Sequence, residues 1–306
     1  MFFLRQKRSF FSDLRHEERK RERLALESFM SFRFLVRLVF SYGIVFLASA
    51  ISTSFAAPEV LSKMPRPLAS VINFGEDFTR PLARFDVRLK YQDKGDGSDA
   101  LVNTYRVDYP LLLRNGWNIA TRVDLPMISN DTQGPDNREG RWGLGLGDTL
   151  TQVIVASPEA NRFRYGTGLR AIWPSATEQQ FGSGKYQLAP MVGAVYAPSC
   201  LAEGSFVKFI WREEFSVGGD AGRTDIHRSV LNPGASFTLP RQFYADLSPE
   251  IKINWQDNAK WFVPFNLTVG KKFGKKLIVS LEWNQALVKQ YRPYDWELEA
   301  RVGYFF

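Results

Sequence analysis

The sequence predicts an all-β protein, a transmembrane antiparallel β-barrel of about twelve strands behind a cleaved signal peptide, and three observations carry that reading. Apolar and charged residues alternate with period two from residue 84 to the last residue. The connections alternate between tight turns and longer polar loops. Aromatic residues collect at the ends of the alternating segments, where a membrane-spanning strand meets the headgroups.

The first 57 residues read as an N-terminal extension and signal peptide. Leu38 to Ala57 carries no charge and follows Arg33 and Arg37, and Ser54-Phe55-Ala56 offers small residues for cleavage after Ala56 or Ala57. A permanent anchor is the alternative, because the stretch is long enough to span a bilayer. Its last third is Ser, Thr and Ala, which shortens the strongly apolar core. A charged segment, Arg5 to Glu27, precedes it, and Met30 would begin a leader of ordinary length. Residues 58 to 83, with Pro58, Pro65, Pro67 and Pro81, form a periplasmic or lumen-entering lead, and residues 84 to 306 form the barrel.

Composition excludes several classes. At 44% hydrophobic and 14% aromatic residues the chain is not a disordered one. The single Cys200 rules out an internal disulfide and a cysteine-based zinc site. The net charge of +8 is concentrated in residues 1 to 56, with 10 basic and 5 acidic groups, whereas the rest holds 30 against 27. Near balance of that kind is not the clustered cation excess of a nucleic-acid binder.

The strands follow in order. In Arg84 to Tyr91, Phe85, Val87, Leu89 and Tyr91 alternate with Arg84, Asp86, Arg88 and Lys90. Such a segment has one greasy and one charged face, as an extended strand between unlike media requires. Segment 101 to 112 sets Tyr105, Val107 and Tyr109 against Arg106 and Asp108. Asn115-Gly116 then signals a hairpin into Trp117, Ile119, Val123 and Leu125, opposite Asn118, Arg122 and Asp124. Further strands are expected at 148–157, 162–173, 185–197, 205–217, 226–239, 242–255, 260–273, 276–289 and 295–306. The fourth and seventh fit least well, with Val153 and Val155, or Phe206 and Ile210, on the wet face.

Turns at 114–116, 240–242 and 274–275 are tight, while the connections 128–146, 174–184, 218–225 and 290–294 are longer and polar, and only Gln256 to Lys260 is short on that side. Outer-membrane barrels keep short periplasmic turns and long external loops. In that frame Trp173, Trp255, Trp261 and Trp296 fall at the external rim, and Tyr109, Trp117, Phe243, Phe273 and Tyr304 at the periplasmic rim. The final Val302-Gly303-Tyr304-Phe305-Phe306 resembles the signal read by the barrel-assembly machinery, with Phe306 as its closing aromatic.

From Asn73-Phe74-Gly75 onward the chain resembles the outer-membrane β-barrel family named for the meta-pathway of phenol degradation, the MetA-pathway phenol degradation-like transporters. The resemblance lies in Leu112-Leu113-Arg114-Asn115-Gly116-Trp117-Asn118, Gly143-Leu144-Gly145-Leu146-Gly147-Asp148, Phe181-Gly182-Ser183-Gly184-Lys185-Tyr186-Gln187-Leu188 and Lys260-Trp261-Phe262-Val263-Pro264. It implies a barrel of about twelve strands that acts as a transporter or channel for small solutes, aromatic compounds or other small organics among them. It carries no catalytic residues.

The inward-facing candidates for a lumen or selectivity role are Arg84, Asp86, Arg88, Lys90, Arg106, Asp108, Arg122, Asp124, Arg164, Arg170, Arg212, Glu214, Glu282, Glu299 and Arg301. A further inward set is Lys208, Asp246, Glu250, Lys252 and Glu297. Twelve strands leave a lumen between the filled eight-stranded and the open sixteen-stranded case, so a narrow polar passage is expected. The same charges could instead lock into a salt-bridge plug. Glu213 and Glu214 are adjacent on a strand and point to opposite faces, so they cannot share a substrate.

No catalytic, cofactor or metal site is expected. Gly143, Gly145 and Gly147 read as a loop hinge, Gly182-Ser183-Gly184-Lys185 as a hairpin tip, and Asp93, Asp96 and Asp99 as a solvated turn. His227-Arg228-Ser229 has the His and Ser spacing of outer-membrane phospholipase A, which is also a twelve-stranded barrel. The outward positions of the following strand, Phe243, Ala245, Leu247 and Pro249, offer no group to orient the His. The functional expectation is an outer-membrane channel for passive passage of small solutes in a Gram-negative bacterium, with a non-conducting structural or adhesion barrel as the alternative. Its partners would be outer-membrane lipids, the assembly machinery and small-molecule solutes.

Overall fold

The computed structural model describes residues 73–113, 115–133 and 137–306, so the expected leader and residues 58–72 lie outside the described residues. Among the described residues fourteen strands appear: β1 (Arg84–Asp93), β2 (Asp99–Leu112), β3 (Asn118–Asn130), β4 (Gly143–Leu146), β5 (Thr149–Ala156), β6 (Phe163–Trp173) and β7 (Lys185–Tyr196). They continue as β8 (Phe206–Gly219), β9 (His227–Leu239), β10 (Phe243–Leu247), β11 (Ile251–Asn254), β12 (Lys260–Phe273), β13 (Leu277–Lys289) and β14 (Trp296–Phe305). Every pairing between them is antiparallel, and β1 pairs with both β2 and β14, which closes the sheet into a barrel.

The wall has twelve staves, because β10 and β11 are two halves of one stave and β4 only extends the edge of β3. The break at 248–250 contains Pro249, which has no N–H for the ladder. Side-chain amides repair it: Asn232 donates to the carbonyls of Ser248 and Pro249 at 2.8 and 3.0 Å, and the Ser248 N–H donates to Asn266 at 2.8 Å. Buried backbone groups are thus satisfied where the strand fails.

Alternation places the charged faces inside. In β14 the pattern is strict, with Glu297, Glu299 and Arg301 buried and Trp296, Leu298, Ala300 and Val302 on the other face. The outer face carries half-exposed Val107, Leu125, Leu169, Val192, Phe209 and Leu281, the dress of a wall that meets hydrocarbon. One expectation is corrected here. Val153 is 47% exposed and sits on the outer face with Val155, whereas Ile154 and Ala156 point inward. In β5 both faces are apolar, so period two does not reveal which faces the lumen. Phe206 and Ile210 do face inward.

Two more readings change. The third strand runs on to Asn130, and the segment read as a loop contains β4, whose Gly143, Leu144, Gly145 and Leu146 pair with β3. Gly143 and Gly145 are therefore no hinge. Their missing side chains make room for the 174–184 connection, since a Cβ on Gly145 would lie 2.4 Å from the Phe181 ring and 2.3 Å from Thr177 Oγ1. Asp148 ties the same connection down, accepting from the Ser183 N–H at 2.6 Å and the Ser183 hydroxyl at 2.7 Å. The Gly-Leu-Gly-Leu-Gly-Asp and Phe-Gly-Ser-Gly-Lys stretches are thus two sides of one docked structure at the long-loop end.

Gly145→Val is expected to undock the 174–184 connection while the barrel stays closed. Limited proteolysis of folded protein should then cut within 174–184 in the variant only, with heat-modifiable gel mobility unchanged.

Candidate functional site

The lumen holds a cavity of about 500 Å³ whose lining includes equal numbers of cationic and anionic side chains. Cross-strand register creates its ion pairs. Arg106 stands opposite Asp124 and Asp108 opposite Arg122 on β2 and β3, and each couple closes into a fork, at 2.7 and 2.7 Å and at 2.7 and 3.1 Å. Arg84 joins Asp108 at 2.6 Å, Arg88 joins Glu299 at 2.9 Å, and Lys90 reaches Glu297 at 3.3 Å. Asp86 has no exposed surface and lies among Arg301, Arg88 and Arg84, at 3.1, 3.3 and 3.5 Å. On the opposite wall Arg212 holds Glu214 at 2.8 Å and Glu250 at 3.2 Å, and Arg228 reaches Glu214 at 3.0 Å. Glu282 is held by amides instead, with Asn266 and Asn284 donating at 2.9 and 2.8 Å.

The structure places every sequence-selected candidate on the lumen side, but it divides their work. Arg84, Asp86, Arg88, Lys90, Asp108, Arg122, Glu299 and Arg301 form one continuous network on β1, β2, β3 and β14, and Arg106 with Asp124 forms a separate pair beside it. Arg212 and Glu214 belong to the second cluster, while Glu282 and Arg170 stand apart from both. Arg164 does not join the cavity lining. It is 3% exposed and grips the lead, donating to Asp77 at 2.7 Å and Thr79 at 2.9 Å.

That lead is the part of the site that alternation could not reveal. Residues 73–83 fold across the short-turn end of the lumen. Glu76 bonds Arg301 at 2.6 Å and receives the Tyr244 hydroxyl at 3.3 Å, and Arg84 donates to the Gly75 carbonyl at 2.9 Å. Phe74 stacks on the fully buried Tyr244 with ring centroids 4.7 Å apart. Phe78 lies over a cross-strand glycine pair, where a Cβ on Gly166 or Gly193 would stand 3.1 or 2.9 Å from its ring. Glycine inside a strand signals close approach of another group, and this pair was the clue available in the sequence. Beyond the lead a second cavity of about 450 Å³ opens among Arg162, Pro198, Leu201 and Ser205, and Glu76, Asp77 and Arg80 border both spaces. Burial would raise the Glu76 carboxyl, but Arg301, Lys208, Arg84 and Arg88 outweigh it and hold the group down at about 2.

On the outer face the structure supplies the carboxylate that the sequence reading did not find near His227. It comes from the preceding strand, where Glu213 stands opposite Ser229. Glu213 binds His227 Nε2 at 2.8 Å and accepts the Ser229 hydroxyl at 2.6 Å, while Trp255 Nε1 donates to Ser229 at 2.8 Å. The serine proton is directed at the carboxylate and not at the imidazole, which is not the order of a serine–histidine–acid relay. Glu214 points into the lumen, so the two adjacent glutamates do face opposite ways.

No family model matches the chain, and no curated protein does. Among solved structures the fold is similar to the COG4313 outer membrane channel from Pseudomonas putida F1, with a TM-score of 0.61 at 11% identity, over 79% of this chain and all of that one. The NanC porin (TM-score 0.48, 13% identity, 72% of this chain and 98% of that one) and the KdgM porin (0.46, 12%, 73% and 99%) also align. At 11% identity what this chain shares with the Pseudomonas putida channel is the fold, a closed antiparallel barrel of the outer-membrane kind.

Two outcomes test the network and the lead. Asp86→Ala leaves three guanidinium groups around an empty space and should destabilise the barrel by about 3–5 kcal/mol, measured by urea unfolding in lipid vesicles. The Glu76 carboxyl has a depressed folded value, so its tether is fully present above the ordinary 4.5 and is lost as pH falls toward about 2. A spin label attached beforehand to an introduced Asn73→Cys, in a Cys200→Ser background, should therefore gain mobility in electron paramagnetic resonance through that window, and Glu76→Gln should show at neutral pH the mobility that the parent shows in acid.

Proposed function

We propose that the chain is an outer-membrane channel for passive passage of small polar or ionic solutes, with no covalent step. The observation that carries this is the charge-lined cavity running from the lead at Glu76 to Tyr294 in the long-loop connection. Ion pairs that only locked the barrel shut would fill its interior, whereas here they line the wall and leave this space open between them. The apolar outer belt fits an outer-membrane location, and Phe306 at the end of the closing strand fits recognition by the assembly machinery. The resemblance to the meta-pathway family would add aromatic compounds, and the lining favours those that carry a charged or hydrogen-bonding group.

A second reading, a non-conducting barrel, draws on the lead. Residues 73–83 lie between the two cavities and are held by ion pairs at Arg301 and Arg164. Passage then requires that the lead narrow the lumen without sealing it, or that it move.

Single-channel recording in planar bilayers separates the readings. Discrete openings are expected, and Arg88→Ala or Arg122→Ala should change their size or ion preference by a factor of about two or more, because each removes a fixed charge from a narrow lumen. Membranes that stay silent with parent and with Glu76→Gln protein would support the non-conducting barrel.

A further inference from the structure

Among the described cations that line the lumen cavity, all but one have a carboxylate within ion-pair distance. The exception is Arg170 on β6. Its hydrogen bonds go to a single neutral oxygen, Gln152 Oε1, from Nε at 3.1 Å and Nη2 at 2.9 Å.

The register explains why it is alone. Across the wall, Asp108 stands opposite Arg122, Arg122 opposite Gln152, Gln152 opposite Arg170, and Arg170 opposite Ala189. Arg122 and Arg106 have an acid directly across from them, whereas Arg170 has an amide on one side and a methyl group on the other. Glu214 on β8 and Glu250 in the 248–250 break, the two carboxylates whose charge reaches Arg170, are already held by Arg212. Glu282, the lining carboxylate without a cation partner, belongs to β13 on the far side of the barrel.

A guanidinium has five N–H donors, and two of them are committed to Gln152. The amide fixes the plane of the fork without neutralising it, and the remaining donors suit a planar oxyanion. We propose that Arg170 is a binding station for the carboxylate of a small organic monoanion in transit, with Gln152 as its positioning residue. The channel reading is needed only for how the solute arrives, since the station itself follows from the charge left uncompensated in the lumen.

The test uses the full chain folded in detergent micelles and carboxyl-labelled ¹³C-propionate, read by line broadening in NMR. Saturable broadening is expected with the parent protein, and Arg170→Gln should weaken binding at least about tenfold, roughly 1.4 kcal/mol. Gln152→Glu supplies the partner that other lumen arginines have, and should abolish binding while the barrel stays folded by heat-modifiable mobility. Propionamide, equal in size and uncharged, should not compete. Binding unchanged in both variants, no saturable binding in the parent, or stronger competition by inorganic phosphate than by propionate would overturn the assignment. Bilayer recording on the same protein keeps the two readings separate. Arg170-dependent binding in a silent membrane sinks the channel and leaves the station, and discrete openings without propionate binding do the reverse.

Discussion

A polypeptide inside hydrocarbon has no water to satisfy its N–H and C=O groups, and that single constraint organises this molecule. A sheet meets it only by closing on itself, and the pairing of β1 with β14 is the contact that removes the last free edge. Once the wall is closed, each strand has one face toward lipid and one toward the lumen, and period-two alternation decides what lies on each. The same demand explains the exception at 248–250, where Asn232 and Asn266 supply bonds that Pro249 interrupts.

Closure also sets the electrostatics. Side chains opposite one another on neighbouring strands are close enough to pair, so an acid and a base at matched register positions become a fork, as at Arg106 and Asp124. Charges at this depth survive only with partners, which is why most of the lumen is self-compensated and why a residue such as Arg170, offered an amide and an alanine instead, stands out. The lead uses the same currency: it brings Glu76 and Asp77 to Arg301 and Arg164, cations that the wall alone leaves incompletely paired.

Much of this was legible in the chain. Strand positions in β6 to β9 and β12 to β14 follow the alternation to within a residue or two, because a charged inner face and a greasy outer face make the period unmistakable. It failed where the contrast vanished. In β5, Val153, Ile154 and Val155 are apolar on both faces, and in β4 Gly143 and Gly145 leave one face without side chains opposite Leu144 and Leu146. The His227 neighbourhood was missed for another reason: its carboxylate, Glu213, lies on the preceding strand, and only the strand register brings it opposite Ser229.

The sequence by itself determined a wall: the number of staves, their polarity, the sign of each charge and the side of the membrane boundary it faces, since all of these are local consequences of period two. Only the tertiary structure decided what the wall encloses. Which charges cancel depends on register around the barrel, and the path of residues 73–83 across the lumen depends on Arg164, Arg301, Tyr244 and the Gly166–Gly193 notch meeting in space. Those partners lie far apart along the chain, and no local pattern encodes their meeting.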